Sequence, residues 1–383
     1  MRLLLPATLP VLLATSLCAQ PPQGPGRGLP MAGPAARMAA QPIFNNNCAG
    51  CHKPAMSSAE NVLRENNAPS PDTLAQMSPE SIYAALTTGA MVQQAAKLSN
   101  DEKLLLAGFF GGRPVGTADA GDIKNMTNHC ASNTQLHNPA AGVAWNGWGN
   151  DLYNTRFQNA KSAGMTPDDV SRLKLKWSFG LPAGAETYGQ PTLADGRIFI
   201  GDDNSYVYSL DANSGCVYWS FHAEAQVRTA TVIGAVTGHG STKYAAYFGD
   251  RKANIYAVDA HSGELLWKTN VDQRLLSHIT GSPVFYEGRI YAGVAGSEEV
   301  ASGDPHYPCC TYRGSLSAID AGTGKVIWKT YTIADAPKPT KINSLGTQLW
   351  APAGASIWTT PTIDAKAHAI YASTGNAFTE PAA

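Results

Sequence analysis

One short pattern recurs three times in the second half of this chain and limits its fold more than any other feature. Leu210-Asp211-Ala212-Asn213-Ser214-Gly215 leads to Trp219, Val258-Asp259-Ala260-His261-Ser262-Gly263 to Trp267, and Ile319-Asp320-Ala321-Gly322-Thr323-Gly324 to Trp328. Each Trp follows its Asp by eight residues, and successive tryptophans are 48 and 61 residues apart. Trp177 reads as the start of an earlier unit whose turn has drifted. Units of this length, built from short alternating strands with Gly and Asp turns, are blades of an all-β propeller. The Asp and Gly form the turn between two strands of a blade, and the Trp begins the next strand and packs between blades. The plentiful Gly (37) and Pro (25) suit that texture. From Trp145 onward about four units are present, whereas a closed propeller needs roughly four to eight blades. The strand-like Ala369-Ile370-Tyr371-Ala372 comes just before Ala383, so the last blade reads as interrupted and the chain as truncated.

A different chemistry precedes the repeats. Cys48-Ala49-Gly50-Cys51-His52 is a C-x-x-C-H run, the attachment motif of a c-type haem. The two thiols share one helical turn beside the haem vinyl groups, and His52 coordinates the iron. Met91, between two helices and 39 residues after His52, is the expected sixth ligand, with Met77 and Met56 as rivals. The surrounding segment reads as small and all-α. Ser78-Pro79-Glu80 starts a helix with Ser at the cap and Pro in the first position. Ser99-Asn100-Asp101-Glu102 is a capping box that opens another, which Gly111-Gly112 and Pro114 end.

The expected organisation is a signal peptide over 1–19, a Pro/Gly/Ala-rich linker over 20–40, a cytochrome c domain over 41–115, a linker over 116–144 and a partial propeller over 145–383. Arg2, the apolar Leu3 to Leu17 and the small Ala19 carry the export reading. That apolar run is short for a bilayer span, and no other stretch is long enough. The protein is therefore expected in the periplasm or secreted, with lipid attachment at Cys18 as an alternative. Export permits disulfides. Cys130, Cys216 and the adjacent Cys309-Cys310 remain once haem takes Cys48 and Cys51, an even number whose connectivity one sequence does not settle. The pairings carried forward are Cys309-Cys310 and Cys130-Cys216. Lys plus Arg (28) nearly balances Asp plus Glu (29), which argues against a nucleic-acid partner.

Trp145-Asn146-Gly147-Trp148-Gly149-Asn150 with Asn154-Thr155-Arg156-Phe157, followed by the tryptophan repeats, resembles the quinoprotein alcohol dehydrogenases, most closely their polyvinyl-alcohol dehydrogenase type. The resemblance implies an eight-bladed propeller, incomplete here, that holds pyrroloquinoline quinone (PQQ) and calcium behind a small cytochrome domain. Gly296-Ser297-Glu298 is similar to the loop whose carboxylate binds calcium, with Glu299 as a rival for Glu298. Asn376 resembles the asparagine that completes that site. Trp358 resembles the tryptophan under the quinone ring, and Arg228 and Thr280 stand where the family contacts the quinone carboxylates. Calcium takes oxygen ligands, carboxylates pair with Arg and hydroxyls, and a flat ring stacks on indole. In the family a ring of adjacent cysteines covers the quinone. Cys309-Cys310 would play that part, although it lies eleven residues after Glu298 instead of before it. The family's catalytic aspartate falls past the position matching Asn376, so the base is expected beyond Ala383.

The function implied is oxidation of an alcohol, secondary or polymeric, with electrons passing through haem c to an external cytochrome or other acceptor. The alternative is a non-catalytic electron carrier or scaffold propeller fused to a cytochrome c.

Overall fold

A computed structural model describes residues 33–53, 68–75, 77–133, 135–139, 144–274, 276–302 and 305–379. The signal peptide, Cys18 and Met56 lie outside them. Helix α1 spans Gly33–Asn47, so the stretch read as linker to residue 40 is helical from Gly33. Its Ala36, Ala40 and Phe44 recur at fourfold spacing and are buried together, the stripe that drives an amphipathic helix onto a core. Helices α2 (Pro71–Leu74), α3 (Pro79–Thr87) and α4 (Asn100–Gly111) follow. Ser78 accepts from Ser81 N at 3.1 Å to cap α3. Ser99 and Glu102 close a reciprocal capping box on α4, and Gly112 ends that helix with φ +78. Ile82, Leu86, Leu105 and Leu106 close one core with the α1 stripe. No helix among the described residues is long and apolar enough to cross a membrane.

The remainder is a β-propeller of antiparallel sheets. Strands β1 (Thr192–Ala194), β2 (Arg197–Gly201), β3 (Tyr206–Asp211) and β4 (Val217–His222) make the first blade. The second comprises β5 (Val232–Ala235), β6 (Tyr244–Gly249), β7 (Asn254–Asp259) and β8 (Leu265–Asn270). In the third, β9 (Ser277–His278) joins β10 (Val284–Tyr286), β11 (Arg289–Gly296), β12 (Ser315–Asp320) and β13 (Val326–Tyr331). A hairpin of β14 (Lys338–Ile342) and β15 (Gln348–Ala351) comes before β16 (Thr362–Asp364) and β17 (Ala369–Tyr371), which pair as the start of a fourth.

The repeat motif explains how blades join. Asp211 accepts from Asn213 N and Ser214 N at 3.0 and 2.7 Å, fixing the turn between β3 and β4. Asp259 and Asp320 hold their turns in the same way, the usual work of Asp in a tight turn. The next Gly sits at positive φ and leaves room for the previous blade's indole. A Cβ at Gly215, Gly263 or Gly324 would lie 2.6 to 2.7 Å from the ring of Trp177, Trp219 or Trp267. Each of those indoles donates to the Ala carbonyl of the motif it covers, Ala212, Ala260 and Ala321, at 3.1, 3.2 and 2.9 Å. Trp177 therefore docks like the others even though its own turn lacks the motif. Trp328 is 37% exposed.

Within the stretch 116–144, read as a linker, residues 118 to 130 are strapped to the first blade. Tyr206 donates to Ala118 O at 2.9 Å, and Ile123 N donates to Ser220 Oγ at 2.8 Å. Cys130 is joined to Cys216, and His129 bridges Val217 in parallel.

Candidate cofactor sites

The innermost strands β1, β5, β10 and β16 each follow a segment of the same length and course. Tyr188, Arg228, Thr280 and Trp358 occupy one register position, four residues before the first residue of those strands. The segments touch in turn around the propeller. Gly189 lies against Thr229 O, closely enough that a Cβ there would be 2.4 Å away. Ala230 N donates to Ser282 Oγ at 2.8 Å, and Ser282 N to Thr360 Oγ1 at 3.2 Å. Three of the four positions are those expected to contact the quinone. The sequence reading missed the fourth, Tyr188, over whose ring the Arg228 guanidinium carbon sits at 3.8 Å. The signal was available in the parallel strings ending Gln190-Pro191-Thr192, Ala230-Thr231-Val232, Ser282-Pro283-Val284 and Thr360-Pro361-Thr362.

This ring of positions has unmet chemistry. The Thr280 hydroxyl is buried with no hydrogen-bond partner. Glu186, whose Oε2 accepts from Tyr188 at 2.6 Å, keeps Oε1 buried and unpartnered. Trp358 is 64% exposed, although a tryptophan is ordinarily well buried. An exposed indole, a cation and an unpaired hydroxyl at equivalent positions are the groups an aromatic polycarboxylate would engage.

The Glu298 loop is organised differently from expectation. Glu298 opens a helical turn after β11 and is buried. Its Oε1 accepts from Tyr307 OH at 3.0 Å and Thr311 N at 2.9 Å, and its Oε2 from Tyr312 N at 2.6 Å. Protein donors thus use the lone pairs that a cation would need. Asn376 is exposed, and its amide nitrogen donates to Ala377 O at 2.9 Å. Among the described residues no three His, Cys, Asp or Glu side chains form a metal-holding group. Ser356 links the loops of Glu298 and Asn376, the expected calcium pair: Gly296 N donates to its Oγ at 3.1 Å and Gly375 N to its carbonyl at 2.8 Å. Gly296 is required for close packing, since a Cβ there would lie 2.6 Å from the Tyr312 ring. Ser297 N donates to Leu276 O at 3.1 Å.

Cys309 and Cys310 are bonded to each other and buried with Tyr312, Ala353 and Phe378. The pair exchanges backbone hydrogen bonds with Trp350, at 2.9 and 2.6 Å. It immediately precedes the two amides that grip Glu298, so disulfide and carboxylate form one unit.

The haem motif lies at the end of α1. Cys51 N and His52 N donate to Cys48 O at 3.1 and 2.9 Å, which folds the motif into one turn. Cys48 and Cys51 are unpaired thiols. Burial, with Cys51 close by, pushes the Cys48 thiol up. His52 is buried, with Nδ1 2.7 Å from Pro69 O. An imidazole that donates through Nδ1 presents Nε2 to a metal, so these residues fit haem attachment. Met91 and Met77 both pack against the helical core that Cys48 joins.

The family model described as PQQ, glucose/ethanol/alcohol dehydrogenase, β-propeller domain, matches residues 145–381. The chain is 35% identical over 358 residues to a polyvinylalcohol dehydrogenase of Sphingopyxis sp. (strain 113P3), covering 91% of this chain and 53% of that protein. It is likewise 35% identical over 349 residues to a polyvinylalcohol dehydrogenase of Pseudomonas sp., covering 88% and 52%. A quinohemoprotein alcohol dehydrogenase of Comamonas testosteroni is 26% identical over 257 residues, 62% of this chain and 34% of that one. The chain spans about half the length of the polyvinylalcohol dehydrogenases it matches.

Proposed function

Because the chain belongs to the PQQ-binding β-propeller family of glucose, ethanol and alcohol dehydrogenases, we propose that it forms the cytochrome and quinone-binding half of a quinohaemoprotein alcohol dehydrogenase. The register shared by Arg228, Thr280 and Trp358 on three inner segments carries this reading. PQQ, when bound, supplies a two-electron acceptor for alcohol oxidation, and haem c supplies one-electron relay to an external cytochrome or other acceptor.

The chain's own part is binding and orientation. Arg228 is held over Tyr188 and offers its planar fork to a carboxylate. The Thr280 hydroxyl, unpartnered in the fold, would donate to a second. Trp358 would offer its indole face to the cofactor's flat rings. Cys309-Cys310 and the Glu298 loop form one buried unit that would wall the site. The Glu298 carboxylate oxygens receive Tyr307, Thr311 and Tyr312. Cys48 and Cys51 would hold haem c through their sulfurs, and His52 and Met91 would supply its iron ligands. The base that takes the hydroxyl proton is not assigned to any described residue. The leader-like N-terminus and the two cysteine pairs support a periplasmic or secreted location. The named relatives support alcohols as substrates, secondary or polymeric ones included.

The test is PQQ binding to the full-length protein, read by quenching of tryptophan fluorescence. Saturable quenching, weakened about tenfold by Thr280→Val for a lost hydrogen bond to a charged group, is the expected result. Absence of saturable quenching would leave an electron carrier with a docking propeller. For the haem, Met91→Ala should abolish the Met–iron spectroscopic signature while Met77→Ala keeps it.

A further inference from the structure

The last turn of helix α4 meets both the haem turn and the propeller. Phe110 packs edge-on against Phe44, with 4.8 Å between ring centres. Phe44 lies on α1 four residues before Cys48, and its ring centre is 6.4 Å from that of His52. Two residues after Phe110, Gly112 ends the helix at φ +78 against Gln226 of the propeller, where a Cβ would lie 2.5 Å from the Gln226 Nε2. Gln226 stands two residues before Arg228, one of the quinone positions, and its carbonyl accepts from Arg251 N at 3.0 Å. One helix end therefore backs the haem turn and touches the segment that carries Arg228.

Two units joined by one chain segment move against each other by default. Here the chain leaving α4 is gripped. Arg113 donates to both carboxylate oxygens of Glu80 at 2.7 Å, a two-pronged pair. Gly116 N donates to the same carboxylate at 2.8 Å, so Glu80, at the start of α3, holds the exit at two points. The Arg113 side chain is 14% exposed, and its pairing brings the Glu80 carboxyl down to about 2. Gly111 packs on Pro79, where a Cβ would lie 2.4 Å from the Pro79 Cγ, and this closes α4 onto α3. Farther along, Gly121 lies against the Tyr206 ring, where a Cβ would be 2.4 Å away, and His222 stacks on Tyr206 at 4.4 Å. Burial, and after it the Arg113 charge, holds the His222 imidazole below its ordinary range, so Arg113 is felt on the first blade as well as on α3.

We propose that Glu80 and Arg113 are positioning residues whose pairing locks the helical segment onto the propeller segment carrying Arg228, so that electrons pass from quinone to haem across one fixed gap. The electron path rests on the dehydrogenase reading, whereas the lock does not. In that reading an alcohol gives two electrons and two protons to the quinone. The reduced quinone passes on both electrons singly, each taking one ferric iron to ferrous, and its two protons go to water; an external acceptor reoxidises the iron between the two transfers. Electron transfer slows steeply as donor and acceptor separate, so a lock that fixes the gap also sets the rate.

The experiment compares full-length holoprotein with Arg113→Glu, which sets two carboxylates together, and with the exchanged pair Glu80→Arg and Arg113→Glu. Haem reduction after mixing with a secondary alcohol should slow by at least about tenfold in Arg113→Glu, while turnover with a dye that takes electrons directly from the quinone changes less than about twofold. The exchanged pair should recover most of the loss. Haem reduction as fast in Arg113→Glu as in wild type would overturn the positioning role. The lock itself is read without turnover, from the distance between spin labels placed by Asp101→Cys on α4 and Lys243→Cys beside β6, both at exposed positions. The expected result is one narrow distribution that broadens with Arg113→Glu and narrows again in the exchanged pair. A broad distribution with the native pair, or one that Arg113→Glu leaves unchanged, would overturn the lock. Should Arg113→Glu not fold, Glu80→Lys sets two cations together and is read in the same way. The expected label behaviour in a protein that oxidises no alcohol would uphold the lock and reject the dehydrogenase reading.

Discussion

Replacing Glu298 by Gln tests what its carboxylate does. In the structure it receives Tyr307 OH, Thr311 N and Tyr312 N at 3.0, 2.9 and 2.6 Å while buried. Gln keeps the shape but exchanges one acceptor oxygen for an NH₂ group. Whichever way it turns, that NH₂ meets a backbone N–H, donor against donor. One charge-assisted bond, worth about 1.5–3 kcal/mol, is lost outright, and the remainder weaken to neutral strength. A loss of about 3 kcal/mol follows, or roughly 5–10 °C in the unfolding midpoint. Thermal unfolding of wild type and Glu298→Gln should show this loss equally in EDTA and in excess calcium. A loss below about 0.5 kcal/mol, within the range of an ordinary surface change, would refute the argument. So would a loss that appears only with calcium, because the carboxylate would then be holding a cation.

Gly324→Ala should destabilise the blade interface by more than about 2 kcal/mol, since it adds strain at positive φ to overlap with a buried ring. Its φ is +72, and a Cβ would lie 2.7 Å from Trp267; equal stability by chemical denaturation would contradict the docking description. Cys130→Ser opens a crosslink between residues 86 apart and should cost about 4 kcal/mol, with proteolysis then expected between residues 116 and 133. Burial pushes the Asp202 carboxyl up to about 7, against the pull of donors from Tyr206 and Tyr208. The folded state thus holds a proton that the unfolded chain gives up near pH 4, so this group's contribution is complete below that pH and is lost as pH rises to 7. Denaturation midpoints of Asp202→Asn across that window should fall less steeply than those of wild type, and parallel profiles would contradict the assignment.

The repeat was legible because its physics is local. An Asp that fixes a turn, a Gly that clears space for the previous blade's indole and a Trp that docks on another blade's motif all lie within nine residues, so the motif can be read before it is known which blade each Trp meets. The haem turn was legible for the same reason. The start of α1 was not, because Gly33, Pro34 and their neighbours share their composition with a linker, while the buried stripe of Ala36, Ala40 and Phe44 is made of small or widely spaced residues. The partners of Glu298 come from a loop that belongs to no repeat, so no spacing rule pointed from Glu298 to Tyr307 or Tyr312. Tyr188 was missed for the opposite reason: it sits in a pattern, but one that becomes visible only when strands β1, β5, β10 and β16 are aligned by their first residues. Resemblance supplied Arg228, Thr280 and Trp358, and the aligned register supplies the physical reason they belong together.

The most direct test joins both cofactors in one observation. Full-length protein, matured with haem in an exporting host and loaded with PQQ, is mixed with a secondary alcohol while the haem absorbance is followed. The account predicts haem reduction that requires quinone and alcohol together and slows markedly in Arg228→Gln and Trp358→Ala. Haem that stays oxidised across a panel of primary, secondary and polymeric alcohols, in protein shown to hold PQQ, would contradict it.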